Sequence, residues 1–128
     1  MHADRSPRAT VLVCDDEPVL RMLVRATLDG GGYTIVEACD GDQALERTRS
    51  DRPDLILLDM MMPGRSGGEV LRELRSDPAT AATPVIMLTA RAQAGDREAM
   101  DVAGATHYLT KPFSPNGLAA LVEEVLRA

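Results

Sequence analysis

Aromatic residues are nearly absent from this 128-residue chain: it has no tryptophan, and only Tyr33, Tyr108 and Phe113 carry rings. Any core must therefore be aliphatic, built from Leu, Val, Ile, Ala and Met. With 45% apolar residues, one domain of this length can build such a core. Cationic residues are outnumbered, 14 Lys and Arg against 20 Asp and Glu, for a net charge of −6. That balance argues against direct binding of nucleic acid, whose phosphates require an excess of Lys and Arg. It argues equally against an anionic membrane surface. No apolar run reaches the roughly 18 residues of a membrane-spanning helix. Residues 1–8 are polar, contain Pro7 and lack the apolar stretch of a signal peptide. They are expected to form a flexible arm ahead of a folded unit at 9–128, and the protein is expected to be cytoplasmic. Cys14 and Cys39 are too few for a disulfide framework or a zinc site and read as small buried thiols.

What the chain does have is a regular alternation. Short β-branched or aliphatic runs stand at 10–14 (TVLVC), 34–38 (TIVEA), 54–58 (DLILL), 84–88 (PVIML) and 106–109 (THYL). Gly, Pro, Asp or Asn residues bound them, as they bound strands. Most are continuously apolar rather than alternating, which suits strands buried on both faces. Helical spacing lies between them. Val19, Leu20, Leu23, Val24, Thr27 and Leu28 share one face, with Asp16 as the expected N-cap, Pro18 in the first turn and Gly30 to Gly32 as the stop. Further helices read at about 41–50 (Ala44, Leu45 and Thr48 inward) and about 67–76 (Val70, Leu71 and Leu74 inward). A fourth pattern, at about 94–103, has mostly Ala and Met100 on its face and should be the most weakly held. The last carries Leu118, Leu121, Val122, Val125 and Leu126. Five strand–helix repeats imply parallel strands with right-handed crossovers and helices on both faces, an α/β doubly wound sandwich.

In such sheets ligands bind beyond the carboxyl ends of the strands. Asp15 and Asp16 follow the first strand run, Asp59 the third, Thr89 the fourth and, two residues on, Lys111 the fifth. Asp40, beyond the second, is an outlying member. Each has a plainer reading by itself: an N-cap for the aspartate pair, a turn residue for Asp59, surface charge for Lys111. Together they place polar groups from four strands on one rim. Three converging carboxylates repel one another, and a hard divalent cation such as Mg²⁺ relieves the repulsion. A lysine and a threonine on the same rim complete a site suited to a phosphoryl group.

The segments VLVCDDEP, LILLDMMMPGRSG, VIMLTA and YLTKPF resemble, in order and spacing, the signature blocks of response-regulator receiver domains, the phosphoacceptors of two-component signalling. The resemblance covers the chain from about Ala9 onward. It implies a flavodoxin-like (βα)5 three-layer sandwich, a parallel five-stranded sheet in the order 2-1-3-4-5. It implies phosphorylation of Asp59 by a sensor histidine kinase or a phosphotransfer protein. Mg²⁺ would be held by Asp16, Asp59, the Met61 backbone carbonyl and, mostly through a water, Asp15. Lys111, before a cis peptide to Pro112, would contact the phosphoryl group. Thr89 would follow that group and Tyr108 would report it. Output would pass through the surface of the fourth helix, fifth strand and last helix to a downstream effector or a second copy of the chain. Such a module promotes only its own phosphotransfer and dephosphorylation and is not an enzyme acting on a separate substrate.

Two rivals stand beside this reading. An Mg²⁺-dependent phosphohydrolase with an aspartate nucleophile would need a second acid/base carboxylate two residues further on, where this chain has Met61. A degenerate receiver, binding partners without phosphorylation, would not need all five site residues. Met61 and Arg91 lie two residues beyond Asp59 and Thr89, so both are expected to govern access of the hydrolytic water and thus phosphoryl lifetime. The Met60 to Met62 run reads as loop packing, since three consecutive residues cannot share one face.

Overall fold

The computed structural model describes residues 9–90 and 104–127. Strands β1 (Thr10–Cys14), β2 (Thr34–Ala38), β3 (Leu55–Asp59), β4 (Val85–Thr89) and β5 (His107–Thr110) form one parallel sheet, in the order β2-β1-β3-β4-β5. The described helices are α1 (Pro18–Asp29), α2 (Gly41–Asp51), α3 (Gly67–Ser76) and α4 (Pro115–Arg127). The helical pattern at about 94–103, the arm at 1–8 and Arg91 lie outside the described residues. The flavodoxin-like order expected from the family resemblance is the one observed.

Side chains alternate across a strand, so the sheet feeds two cores. Leu12, Cys14, Ile56, Leu58, Val85 and Met87 pack against Ala44 and Leu45 of α2 and Val70, Leu71 and Leu74 of α3. Val11, Val13, Leu55, Leu57, Ile86 and Leu88 pack on the other face against Val24 and Leu28 of α1 and Leu118, Val122 and Val125 of α4. β3 and β4 are buried along their whole length. Burying each such Leu, Ile or Val stabilises the fold by about 1.5–3 kcal/mol relative to exposure.

Three local readings need correction. First, β3 and β4 run one residue further than their apolar runs, so Asp59 and Thr89 are the last strand residues rather than the residues that follow. Both pair with the neighbouring strand, Asp59 with Leu88 and Thr89 with Thr110. Ladder pairing is a backbone property, indifferent to where side-chain polarity changes. Second, Asp16 is not the N-cap of α1. Glu17 occupies that position, without a side-chain cap, and Pro18 begins the helix. Third, the inward face of α1 is narrower than its apolar pattern: Val24 and Leu28 are buried, but Val19 is 77% and Leu23 38% exposed, as is neighbouring Met22 at 68%. An apolar residue at helical spacing can remain on the surface.

Candidate functional site

The carboxyl end of β1 delivers the first two acidic residues. Asp15 is fully buried and Asp16 exposed. The Asp15 N–H donates to the Ala38 carbonyl at 3.0 Å, and its Oδ1 accepts the Glu17 N–H at 2.9 Å, which closes a tight turn into α1. On the adjacent strand, Asp59 ends β3 and is 5% exposed. One carboxylate oxygen from each of Asp15, Asp16 and Asp59 lies within 4.8 Å of the others. Asp40 does not join them. It caps α2, its Oδ1 accepting the Gln43 N–H at 2.8 Å.

Lys111, just past β5, reaches back into this group. Its ammonium lies 2.8 Å from Asp15 Oδ2, 3.2 Å from Asp59 Oδ1 and 3.7 Å from Glu17 Oε1. Its own N–H donates to the Thr89 carbonyl at 2.7 Å, which ties the loop after β5 to the end of β4. The Lys111–Pro112 peptide is cis, as the resemblance implied. Thr89 is buried, and Tyr108 of β5 is half-buried against the α2/α3-side core. The rim therefore brings together Asp15, Asp16, Asp59, Thr89 and Lys111.

The electrostatics follow from burial. Desolvation raises the Asp59 carboxyl above the usual aspartate range, Asp15 adds to the rise, and the Lys111 charge and hydrogen bond oppose it. For Lys111, burial pulls the ammonium downward. The hydrogen bonds and charges of Asp15 and Asp59 outweigh it, and the net shift is upward. Three carboxylates stand against one ammonium here, so two negative charges among these four groups are unmatched. A divalent cation with hard oxygen preference fits that deficit and that donor set.

The loop after Asp59 is shaped by close contact. A Cβ built on Gly67 would sit 2.2 Å from the Asp59 carbonyl oxygen, so only glycine lets α3 start there. The Gly67 N–H donates to the Met60 carbonyl at 3.0 Å, and Gly64 takes a φ of +74°. Met62 is buried and Met60 packs against the same core, as expected of loop packing, but the Met61 side chain is 78% exposed. Arg65 of this loop bridges Asp42 of α2 at 2.9 Å and Glu73 of α3 at 2.7 Å.

Sequence reading missed that tether. It also missed Arg21, whose Nη1 donates to the Asp15 carbonyl at 2.7 Å. The one local signal for Arg21 was a charge within the apolar first half of α1. Cys14 is buried, with its thiol pushed up by desolvation and by Asp15, and Cys39 is only half-buried; both are free.

The family model of the response regulator receiver domain matches residues 11–123. The chain belongs to that family. It is 43% identical over 117 residues to the phosphate regulon transcriptional regulatory protein PhoB of Escherichia coli, covering 91% of this chain and 51% of that protein. This receiver thus spans about half the length of the curated relatives it matches. Among solved structures it resembles the chemotaxis response regulator CheY4 of Vibrio cholerae, with a TM-score of 0.87 and 34% identity over 91% of this chain and 98% of that one. It also resembles the receiver domain of sensor histidine kinase PA1611 of Pseudomonas aeruginosa, which has a magnesium ion coordinated in its active-site cleft. That likeness has a TM-score of 0.86 and 33% identity, over 94% of this chain and 98% of that one. Among the described residues, no helix of this receiver is long and apolar enough to cross a membrane.

Proposed function

We propose that this receiver accepts a phosphoryl group on Asp59 from a sensor histidine kinase or a phosphotransfer protein. It passes the change to a downstream effector or a second copy of itself. The observation that carries the reading is the convergence of Asp15, Asp16 and Asp59 within 4.8 Å of one another, with Lys111 hydrogen-bonded to two of them. The Asp15, Asp16 and Asp59 side chains and the Met61 backbone carbonyl would hold Mg²⁺, which when bound neutralises charge on the phosphoryl oxygens. With few carboxylates in the set, its affinity is expected nearer millimolar than nanomolar.

Asp59 Oδ attacks phosphorus as the nucleophile. The bond from phosphorus to the donor nitrogen or oxygen breaks, the donor keeps that electron pair, and Asp59 becomes an acyl phosphate. Lys111, already beside Asp59, turns its ammonium to the transferred oxygens. The Thr89 hydroxyl accompanies it, and Tyr108 follows by filling the space Thr89 leaves. This is a population shift, driven by the new phosphoryl group's about −1.5 to −2 charge. It is read out on the surface of β5, α4 and the segment at about 94–103. Met61 and Arg91, two residues beyond Asp59 and Thr89 in the chain, would set access of the hydrolytic water.

Acetyl phosphate with Mg²⁺ tests the reading. Intact mass should rise by one phosphate in the wild type and not in Asp59→Asn. Equal labelling of the two proteins would overturn it.

A further inference from the structure

The carbonyl of Asp15 belongs to the peptide that joins the two acidic residues of β1's rim. Arg21 Nη1 donates to it at 2.7 Å. The Nε of the same guanidinium donates to Glu37 of β2 at 3.0 Å, and the Arg21 side chain is only 17% exposed. Glu37 is fixed in turn by Arg25, through bonds of 2.9 and 2.7 Å, and these hydrogen bonds, foremost that from Arg25, hold its carboxyl below the usual range. A run of charge-assisted bonds therefore connects β2 to the Asp15–Asp16 peptide.

The other polar atoms of Asp15 are also held. Its N–H is bound by Ala38, its Oδ1 by Glu17 and its Oδ2 by Lys111. Those bonds fix the residue and its side chain, and the one from Glu17 anchors the far end of the turn. The peptide between Asp15 Cα and the Glu17 N–H decides where the exposed Asp16 carboxylate points relative to Asp59, and Arg21 holds its carbonyl. Glu37 serves a second purpose, because it offsets the guanidinium charge that would otherwise repel an incoming cation.

We propose that Arg21, braced by Glu37, is a positioning residue that orients the Asp15–Asp16 peptide and thereby sets the divalent-cation affinity of the site. The inference rests on the metal-binding part of the function proposed above. Partners outside a ligand set commonly govern metal affinity in this way.

Mn²⁺ is a suitable probe, because the electron paramagnetic resonance signal of the free ion counts unbound metal. Arg21→Met should raise the Mn²⁺ dissociation constant about tenfold. Arg21→Lys should fall between, since one ammonium lacks the fork that bonds carbonyl and carboxylate together. Arg25→Met is the comparison: it removes the same charge from the same carboxylate but leaves the Arg21–Asp15 bond in place, and should weaken the affinity far less than Arg21→Met does. The ¹⁵N shift of the Asp16 amide, which reports the bond to the preceding carbonyl, should move in Arg21→Met and stay in Arg25→Met. Thermal melts establish that each variant folds, and Arg21→Lys carries the comparison if Arg21→Met does not. Wild-type affinity in Arg21→Met, or equal weakening in Arg25→Met, overturns the positioning role while leaving the metal site intact. Failure of the wild type to bind Mn²⁺ overturns the metal site itself, and this inference with it.

Discussion

Lys111 and Asp15 stand 96 positions apart in the chain, and their side chains meet at 2.8 Å. Asp15 is fully buried, so its charge is tolerable only because this partner, and the Glu17 N–H, replace the water it has lost. Asp59 uses the same ammonium at 3.2 Å, which makes Lys111 the shared counter-charge of two strands.

Removing that counter-charge should destabilise the apo protein. Lys111→Met is expected to cost about 2 kcal/mol in metal-free buffer, since it strands a buried carboxylate. Millimolar Mg²⁺ should restore part of the loss by supplying the missing positive charge. Urea unfolding with and without Mg²⁺ measures both effects. Equal stability of variant and wild type in chelator would show that Asp15 does not depend on Lys111.

The raised Asp59 carboxyl gives a pH signature in the absence of metal. Below the ordinary aspartate range both the folded and unfolded chains keep the proton, and ionisation costs the fold nothing. As pH climbs, the unfolded chain ionises first, and stability falls until the folded-state value is passed. Asp59→Asn has no such cost. Its advantage over the wild type should be absent in strong acid, grow through the mildly acidic range and level off near neutrality. At pH 7 Asp59→Asn should therefore melt above the wild type in metal-free buffer. Melts across pH check it; a gap that shrinks with rising pH would contradict the desolvation argument.

Asp16 separates ligand from cap. Glu17, not Asp16, occupies the N-cap of α1. Asp16→Ala should therefore change stability by no more than about 0.5 kcal/mol, as an exposed surface substitution does. It should also abolish saturable Mg²⁺ binding by calorimetric titration. A cap residue would show the reverse pattern, with about 1 kcal/mol lost and metal binding kept.

Gly67 should be intolerant of any side chain. The Cβ of Gly67→Ala would lie 2.2 Å from the Asp59 carbonyl oxygen and 2.9 Å from Met60 Cα. Backbone must move to admit it, at an expected cost of about 3 kcal/mol or more. Gly68→Ala, one residue on, meets only ordinary contacts at 3.9 and 4.0 Å and should be neutral or slightly stabilising. Paired denaturant curves would show whether the close approach at Gly67 is as rigid as the geometry requires.

Much of this architecture is legible in one dimension. β-branched and aliphatic runs mark all five strands to within one residue, and the continuous apolar runs of β1, β3 and β4 reflect burial on both faces of the parallel sheet. The α2 and α3 faces are read correctly down to Ala44, Leu45, Thr48, Val70, Leu71 and Leu74. The α1 face is overread, because apolar spacing shows which residues share a side of a helix and not how wide a stripe the neighbours cover. Val19 and Leu23 share that side with buried Val24 and Leu28 and yet remain exposed.

The sequence by itself determined the class of fold and the rim to which Asp15, Asp16, Asp59, Thr89 and Lys111 go, since each closes or follows an apolar run and parallel strands all end on one side. Tertiary structure alone decided the rest. It buried Asp15 and exposed its neighbour Asp16, moved the N-cap of α1 to Glu17, set Arg21 on the Asp15 carbonyl and brought Lys111 between two carboxylates. The reason is that burial and ion pairing depend on what the sheet register and helix packing place alongside a residue. Partners supplied from 6 to 96 positions away leave no periodic trace in the local sequence.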